Sequence, residues 1–418
     1  MHNSAKKEWT VFFLAKSIES EDTKRLIRLL KKIENTSFDP HIAVVFCINF
    51  NRFYLDALFK LDEHFVDPNS KVVFTTMFFQ FSQGEVHSEN RLRCIGEKED
   101  FDITHADDVS FFFKRFVLNK YKAKNYLLFT WDHGNGFNIF HGIGQGGVNE
   151  DSKTVPILEM RELANAIKIA FGSNKIDLLI MMNCYMQMFD TGFALCEHVD
   201  YLVAPQSFME FGEYDYEGIF SKLATDVNQK KKINAKELGE FVIQRFEKKK
   251  PKSNLQISCV NLSSLDDIYD FSNDLDELAE LLITRVRNGQ SQHVISFFKE
   301  ADPTRPQKRF VDLGSVLKNM RESKFQKKSL SLTEDEIVLL DKLLTYLTKI
   351  IVIFFRKDGS NSYLSRDGCN GFSTISPVPI EVHNINDSET NLESHIWKSD
   401  FMKSSRWGEL IYVLDILD

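Results

Sequence analysis

Two short apolar runs, each stopping abruptly at polar residues, dominate the middle of this chain of 418 residues. Ile176 to Met182 (IDLLIMM) is apolar except at Asp177 and ends at Asn183-Cys184. Upstream, Asn125 to Thr130 (NYLLFT) gives way to Trp131-Asp132-His133-Gly134-Asn135-Gly136. Continuous runs of this length, too short to cross a bilayer, predict strands buried on both faces of a parallel sheet. Open α/β sheets collect their ligands and reacting groups at the carboxyl ends of such strands. If these two strands are neighbours, Cys184 and His133 meet on one rim.

The remaining pattern supplies the rest of that sheet. Strand-like runs occur at Trp9–Ala15, His41–Asn49, Lys71–Phe79 and Val199–Pro205. Helical spacing marks Glu21–Ile33 (Leu26, Ile27, Leu29, Leu30, Ile33), Asp107–Tyr121 and Leu158–Phe171, the last closed by Gly172. Arg52–Phe65 fits neither period, and Glu85–Phe101 reads as a loop or hairpin. Strands alternating with helices predict an α/β/α three-layer fold with a mainly parallel central sheet. From Ala235 on, helical patterns take over (Ala235–Lys248, Leu262–Asn288, Thr333–Arg356). The expected division is therefore a catalytic core over residues 1–228 and a mostly helical extension over residues 229–418.

Composition narrows the function classes. A hydrophobic share of 43% with 37 Phe implies a well-buried core, and a net charge of −8 is not that of a nucleic-acid binder. The basic runs Lys248-Lys249-Lys250 and Lys327-Lys328 lack interleaved aromatics and read as solvated faces. Six scattered cysteines show neither CxxC pairs nor metal-ligand spacing, so no disulfide framework and no zinc site is expected. No stretch suits a signal-peptide core or a membrane span, which gives a soluble cytoplasmic protein as the expectation. A chain already relieved of its leader would read the same, and would be secreted.

A cysteine acts as its thiolate and needs a neighbouring base. A histidine can take the thiol proton and return it to the departing amine. The plainer readings stand beside this: a lone Cys after a buried strand is usually core, and His-Gly at a strand end is usually a turn. Asp132 could orient the His133 ring or simply make the turn. His141 lies in the long Gly- and Asn-rich segment Phe137–Pro156 and reads as exposed, and Cys196 reads as core. No cofactor is called for, although Glu150 and Asp151 leave calcium open on the strength of two loop carboxylates.

WTVFFLA near the start, NYLLFTWDHGNGF, the helix ELANAIKIAF, IDLLIMMNC with Met186 beyond it, and YLVAPQS follow one another as in the clostripain-like (C11) cysteine peptidases. FVDLGSVLKNM at Phe310–Met320 and NGFSTISP at Asn370–Pro377 extend the resemblance over nearly the whole chain. It implies the caspase-hemoglobinase fold, a His133/Cys184 dyad, and an oxyanion hole from the backbone N–H groups of Gly134 and Cys184. The family carries an Asp two residues before the nucleophile, at the base of a pocket for Arg or Lys. Here that position is Met182, which cannot pair with a guanidinium, and burying that cation unpaired costs several kcal/mol. Glu210 or Glu213, after the Val199 strand, would restore a carboxylate from another side; otherwise the residue before the cut is neutral or apolar. Relatives that cut their own chain do so after the histidine strand, which makes Lys153 a candidate site here.

The leading expectation is thus a cysteine endopeptidase acting on a peptide or protein, with neither nucleic acid nor membrane as partner. One alternative is an intracellular protease activated by a protein partner and specific for one substrate. The other is a catalytically silent binding protein on the same scaffold.

Overall fold

The computed structural model describes residues 6–17, 20–34, 36, 39–51, 74–81, 92–98, 101–140, 157–231, 234–305, 310–322, 332–366, 368–377 and 399–417. Arg52–Phe65, His141, Glu150, Asp151 and Lys153 lie outside these residues.

Along the chain the strands are β1 (Lys7–Ser17), β2 (Ile42–Asn51), β3 (Phe74–Phe81), β4 (Leu92–Lys98), β5 (Ala123–Trp131), β6 (Asn138–Ile139), β7 (Leu158–Glu159), β8 (Ile176–Met181), β9 (Val199–Pro205) and β10 (Leu255–Asn261). Short strands β11 (Pro303–Arg305) and β12 (Phe310–Asp312) precede β13 (Ile351–Asp358), β14 (Asn361–Ser365) and β15 (Ser373–Ile375). Ten of them form one sheet in the order β14-β13-β10-β9-β8-β5-β1-β2-β3-β4. The centre is parallel, as expected: β2, β1, β5, β8 and β9 all run one way. Both flanks are antiparallel, with the β3–β4 hairpin at one end and β10, β13 and β14 at the other.

Alternate residues of the central strands enter two separate cores, which explains why their sequences are continuously apolar. Phe13, Phe129, Trp131, Ile180 and Met182 face one layer; Phe12, Leu128, Leu179 and Met181 face the other. In the first layer Phe13 stacks between its register partners Phe46 and Phe129, with ring centroids 4.6 Å from each. Such pairs add about 0.5–1.5 kcal/mol each beyond area burial and help set the strand register.

That first layer holds helix α1 (Ser20–Glu34), seated by Leu26, Leu29, Leu30 and Ile33. Helix α2 (Ala106–Phe112), prolonged by a π-helical turn at Phe113–Leu118, and α3 (Met160–Phe171) lie on the opposite face with α4 (Phe189–Leu195). Helices α5 (Tyr216–Asn228) and α6 (Ala235–Lys249) complete the α1 layer. The longest helix, α7 (Leu265–Arg287), with α8 (Ser291–Lys299), α9 (Leu313–Glu322), α10 (Glu334–Ile350), α11 (Asp400–Ser404) and α12 (Arg406–Leu417), packs on the other face.

Two expectations change. The helix read over Thr333–Arg356 ends at Ile350, and Ile351–Asp358 is strand β13. Its start is sharply marked by a capping box between Thr333 and Glu336. Its end was obscured because a short β-branched and aromatic run (IVIFF) satisfies either period. The part of the chain beyond Asn228 therefore supplies helices and also β10, β13 and β14 of the main sheet.

Candidate active site

Strands β5 and β8 are neighbours in register from Leu127↔Leu178 to Thr130↔Met181, and the Met182 amide donates to the Thr130 carbonyl at 3.0 Å. The two strands therefore end side by side, and their trailing segments are brought together by Asn183. This fully buried side chain accepts from Thr130 Oγ1 at 2.5 Å and donates from Nδ2 to the carbonyls of Asp132 (3.1 Å) and His133 (3.0 Å). Gly134 fits against the same place: a Cβ there would lie 2.8 Å from both Asn183 Cβ and the Cys184 carbonyl oxygen. Only glycine permits that approach.

The carboxylate that bonds the His133 ring is Asp22, in the first turn of α1. Its Oδ2 lies 3.2 Å from His133 Nε2, and its side chain is 6% exposed against 44% for the histidine. Sequence reading weighed only the adjacent Asp132. Asp132 is buried, with no hydrogen-bond partner at Oδ2 among the described residues. Burial pushes its carboxyl up to about 7 against the opposing pull of His133 and Lys16. Donor atoms of Asp22, Asp132 and His133 all lie within 4.8 Å of one another. The Lys16 ammonium beneath them is buried, donates to the Phe140 carbonyl at 3.1 Å, and is pushed below its usual range by desolvation. Phe211 closes the other side, its ring edge-on to His133 at 5.1 Å between centroids.

Cys184 is 8% exposed. Its thiol donates to the Met209 carbonyl at 3.5 Å and accepts from the Met209 amide at 3.4 Å. The loop after β9 thus lies across the sulfur through its backbone. Tyr185, the next residue, has φ 64°, a left-handed conformation that costs a non-glycine residue about 1 kcal/mol or more and turns the chain sharply away from the strand. Two backbone hydrogen bonds hold this turn to β9 and its loop: the Tyr185 amide donates to the Ser207 carbonyl at 3.2 Å and the Gln187 amide to the Pro205 carbonyl at 3.0 Å. The C-terminal motifs noted in the sequence anchor the same loop. Asp312 accepts from Gln206 Nε2 and from the Gly371 amide, both at 2.9 Å, and burial pushes its carboxyl up to about 6.

The other candidates are spread over the surroundings. Met182 is 1% exposed, faces the α1 layer and receives the Tyr216 hydroxyl on its sulfur at 3.1 Å. Glu210 is exposed, and Glu213 accepts the Lys252 amide at 3.3 Å. Cys196 is buried, as expected.

Comparison with known proteins identifies the family and the fold. The model of the clostripain family (Peptidase_C11) matches residues 49–411. No curated relative matches the sequence. Among solved structures, a secreted C11 cysteine protease from Bacteroides thetaiotaomicron ("iotapain") is 12% identical, with a TM-score of 0.60 over 96% of this chain and 100% of its own. An inactive zymogen C11 protease from Parabacteroides distasonis is also 12% identical, with a TM-score of 0.59 over 96% and 98%. A Bacteroides thetaiotaomicron C11 protease solved with an irreversible peptide inhibitor is 13% identical, with a TM-score of 0.57 over 97% and 99%. At these identities the structures attest the fold, and the family model attests the kinship. With a caspase-like sheet, a His-Gly and a Cys at adjoining strand ends and a family match over most of its length, the chain belongs to the clostripain family of cysteine peptidases.

Proposed function

We propose that this protein is a cysteine endopeptidase in which Cys184 is the nucleophile and His133 the general acid and base. The observation that carries the reading is the Asn183 clamp, which ties the backbone of His133 to that of Cys184 and so favours a fixed mutual geometry. With Nε2–H donating to Asp22, the imidazole keeps Nδ1 for the thiol proton. The thiolate attacks the carbonyl carbon of the scissile peptide. The resulting oxyanion takes hydrogen bonds from the N–H groups of Gly134 and Cys184. The C–N bond then breaks, the amine leaves with the proton held by His133, and water attacks the thioester to release the second product and free the thiol. Thiol, imidazole and backbone suffice for each of these steps.

One observation favours a second reading, a protease held latent until a partner or ligand binds. The thiol gives its proton to the Met209 carbonyl and accepts from the Met209 amide, so the loop after β9 holds the proton that His133 would take until that contact is released. The experiment uses the full chain with a peptide library and a peptide-based thiol-reactive inhibitor, in the presence of a metal chelator. Cys184→Ala and His133→Ala should each abolish cleavage, and Cys184→Ala should abolish labelling. Labelling that persists in Cys184→Ala would reject the assignment. Cleavage that appears only after a protein partner is added would select the latent form.

A further inference from the structure

A cavity of about 170 Å³ opens on the α1 side of the dyad, walled by Trp131, Phe211 and Tyr216 and by Arg25, Arg28 and Lys32 of α1. Each aromatic wall leads to the reacting pair by a short path. Trp131 precedes His133 by two residues and packs on Phe211 at 4.6 Å, and Phe211 meets the His133 ring. Tyr216 rests its hydroxyl on the sulfur of Met182, two residues before Cys184. A side chain held on the α1 side of Cys184 has this cavity beside it.

The charge of the cavity is one-sided. Arg25 lies over the Phe211 ring at 5.3 Å, which holds its guanidinium at the wall. Its carboxylate neighbour, Asp22, is 3.8 Å away and closer to His133 at 3.2 Å. Among the described residues neither Arg28 nor Lys32 forms a salt bridge, and no acidic residue lines the cavity. Leu29 and the three aromatic rings make the rest of the wall apolar, Met182 lies behind Tyr216 and supplies no carboxylate, and Glu210 and Glu213 are not part of the lining. A substrate lysine or arginine would meet three like charges and no carboxylate in the wall, whereas a carboxylate would meet a guanidinium fork able to bind it by two parallel hydrogen bonds.

We infer that this cavity receives the side chain of an acidic residue, Asp or Glu, immediately before the scissile bond, so that the peptidase cuts after acidic residues. This rests on the Cys184/His133 reading for the cleavage itself, but not for the binding. Two arms separate them. In the first, kcat/KM is measured for peptides differing only in that residue: Asp, Glu, Gln, Leu, Lys and Arg. Acidic peptides should exceed the Gln peptide at least tenfold and the Lys peptide by more. Arg28→Glu or Lys32→Glu, both on the exposed side of α1, should erase or invert that order. In the second arm the same peptides are titrated by calorimetry into Cys184→Ala, where no turnover is needed, and the acidic peptides should again bind at least tenfold more tightly. Cleavage after Lys, Arg or Leu that Cys184→Ala abolishes would leave the peptidase reading standing and overturn this one. An acidic preference at some other subsite, or equal binding of the Glu and Lys peptides to Cys184→Ala, would overturn it as well. Tight binding of acidic peptides to a protein that neither cleaves nor is labelled at Cys184, with or without an added partner, would support the pocket and reject the dyad.

Discussion

Replacing Asn183 by Asp changes one atom of the clamp and almost none of its volume. The amide nitrogen that donates to the Asp132 and His133 carbonyls at 3.1 and 3.0 Å becomes an acceptor oxygen. The Asp132 carbonyl then loses its partner, while the His133 carbonyl keeps the Phe140 amide at 3.1 Å, in a place where Asn183 has no exposed surface. A buried acceptor left unsatisfied costs about 1–3 kcal/mol, and the repulsion between the new oxygen and both carbonyls adds to it. That is an appreciable part of the total stability of about 5–15 kcal/mol typical of a folded domain. Facing two carbonyl oxygens in the interior, the new carboxyl titrates above its value in the unfolded chain. A carboxyl raised in this way carries its full penalty above its folded-state pKa and is relieved as the pH falls toward its unfolded value. Protonation also restores one donor. Urea unfolding of wild type and Asn183→Asp at about pH 8 and about pH 5 should therefore show a gap that is widest at the higher pH and narrows at the lower. Peptidase activity at the higher pH should fall further than stability alone explains, because the His133 and Cys184 segments separate. If the two proteins unfold within about 0.5 kcal/mol of each other at the higher pH, with equal kcat/KM, Asn183 does not hold the site together.

Three further outcomes are expected. Asp22→Asn keeps an oxygen beside His133 Nε2 but removes the charge, so kcat should drop roughly tenfold or more with KM little changed, and Asp22→Glu should recover part of the loss; a pure KM effect would remove Asp22 from the proton relay. Gly134→Ala drives a methyl to 2.8 Å from Asn183 Cβ and the Cys184 carbonyl, so it should cost about 1–3 kcal/mol of stability and at least tenfold in kcat/KM; wild-type kinetics would mean the two backbones are not in contact. Asp190 is buried and raised from 3.8 to about 6, so it binds a proton more tightly in the folded state, and the protein loses stability as the pH climbs from about 4 to about 6. Asp190→Asn, which keeps an oxygen for Ser399, should remove up to about 3 kcal/mol of that loss at about pH 8 and change little at about pH 4; an equal effect at both pH values would refute the shift.

The strands that form the site were legible because burial on both faces leaves a continuous apolar run, and an abrupt polar stop marks where such a run meets the rim. That is how His133 and Cys184 could be paired across the chain. Asp22 was not legible. It sits beside Glu21 in an acidic first turn, which reads as ordinary complementation of the helix dipole, and its partner lies 111 residues away. Asn183 did leave a signal, a polar residue closing an apolar strand, but only the register shows which carbonyls it reaches. Met209 contributes main-chain atoms alone, so no side-chain pattern could announce it. The cavity beside the dyad was half visible. Met182 signalled that a carboxylate was missing, but the cations replacing it come from the exposed edge of a helix whose sequence reads only as amphipathic.

Helix α1 ties the proposed proton relay to the proposed specificity, and its rotation is set by the core. Leu26, Leu29, Leu30 and Ile33 seat it on the sheet, so Asp22, Arg25, Arg28 and Lys32, three or four residues apart, follow one flank toward the dyad and the cavity. Arg25 stands between the two functions. At 3.8 Å from Asp22 it is well outside the 2.7–2.9 Å typical of charge-assisted bonds, while Asp22 approaches His133 to 3.2 Å. Asp22 is thus committed mainly to the imidazole, and Arg25 keeps bonding capacity for an incoming carboxylate. A substrate anion on Arg25 would be screened from Asp22 by the guanidinium itself. An acidic residue can therefore be held close to the Asp22 carboxylate without the repulsion that two unscreened anions would suffer. The same helix would set three like charges against a cationic residue while its nearest carboxylate, Asp22, is held by His133, which is the physical basis for expecting this chain to depart from cleavage after Arg or Lys.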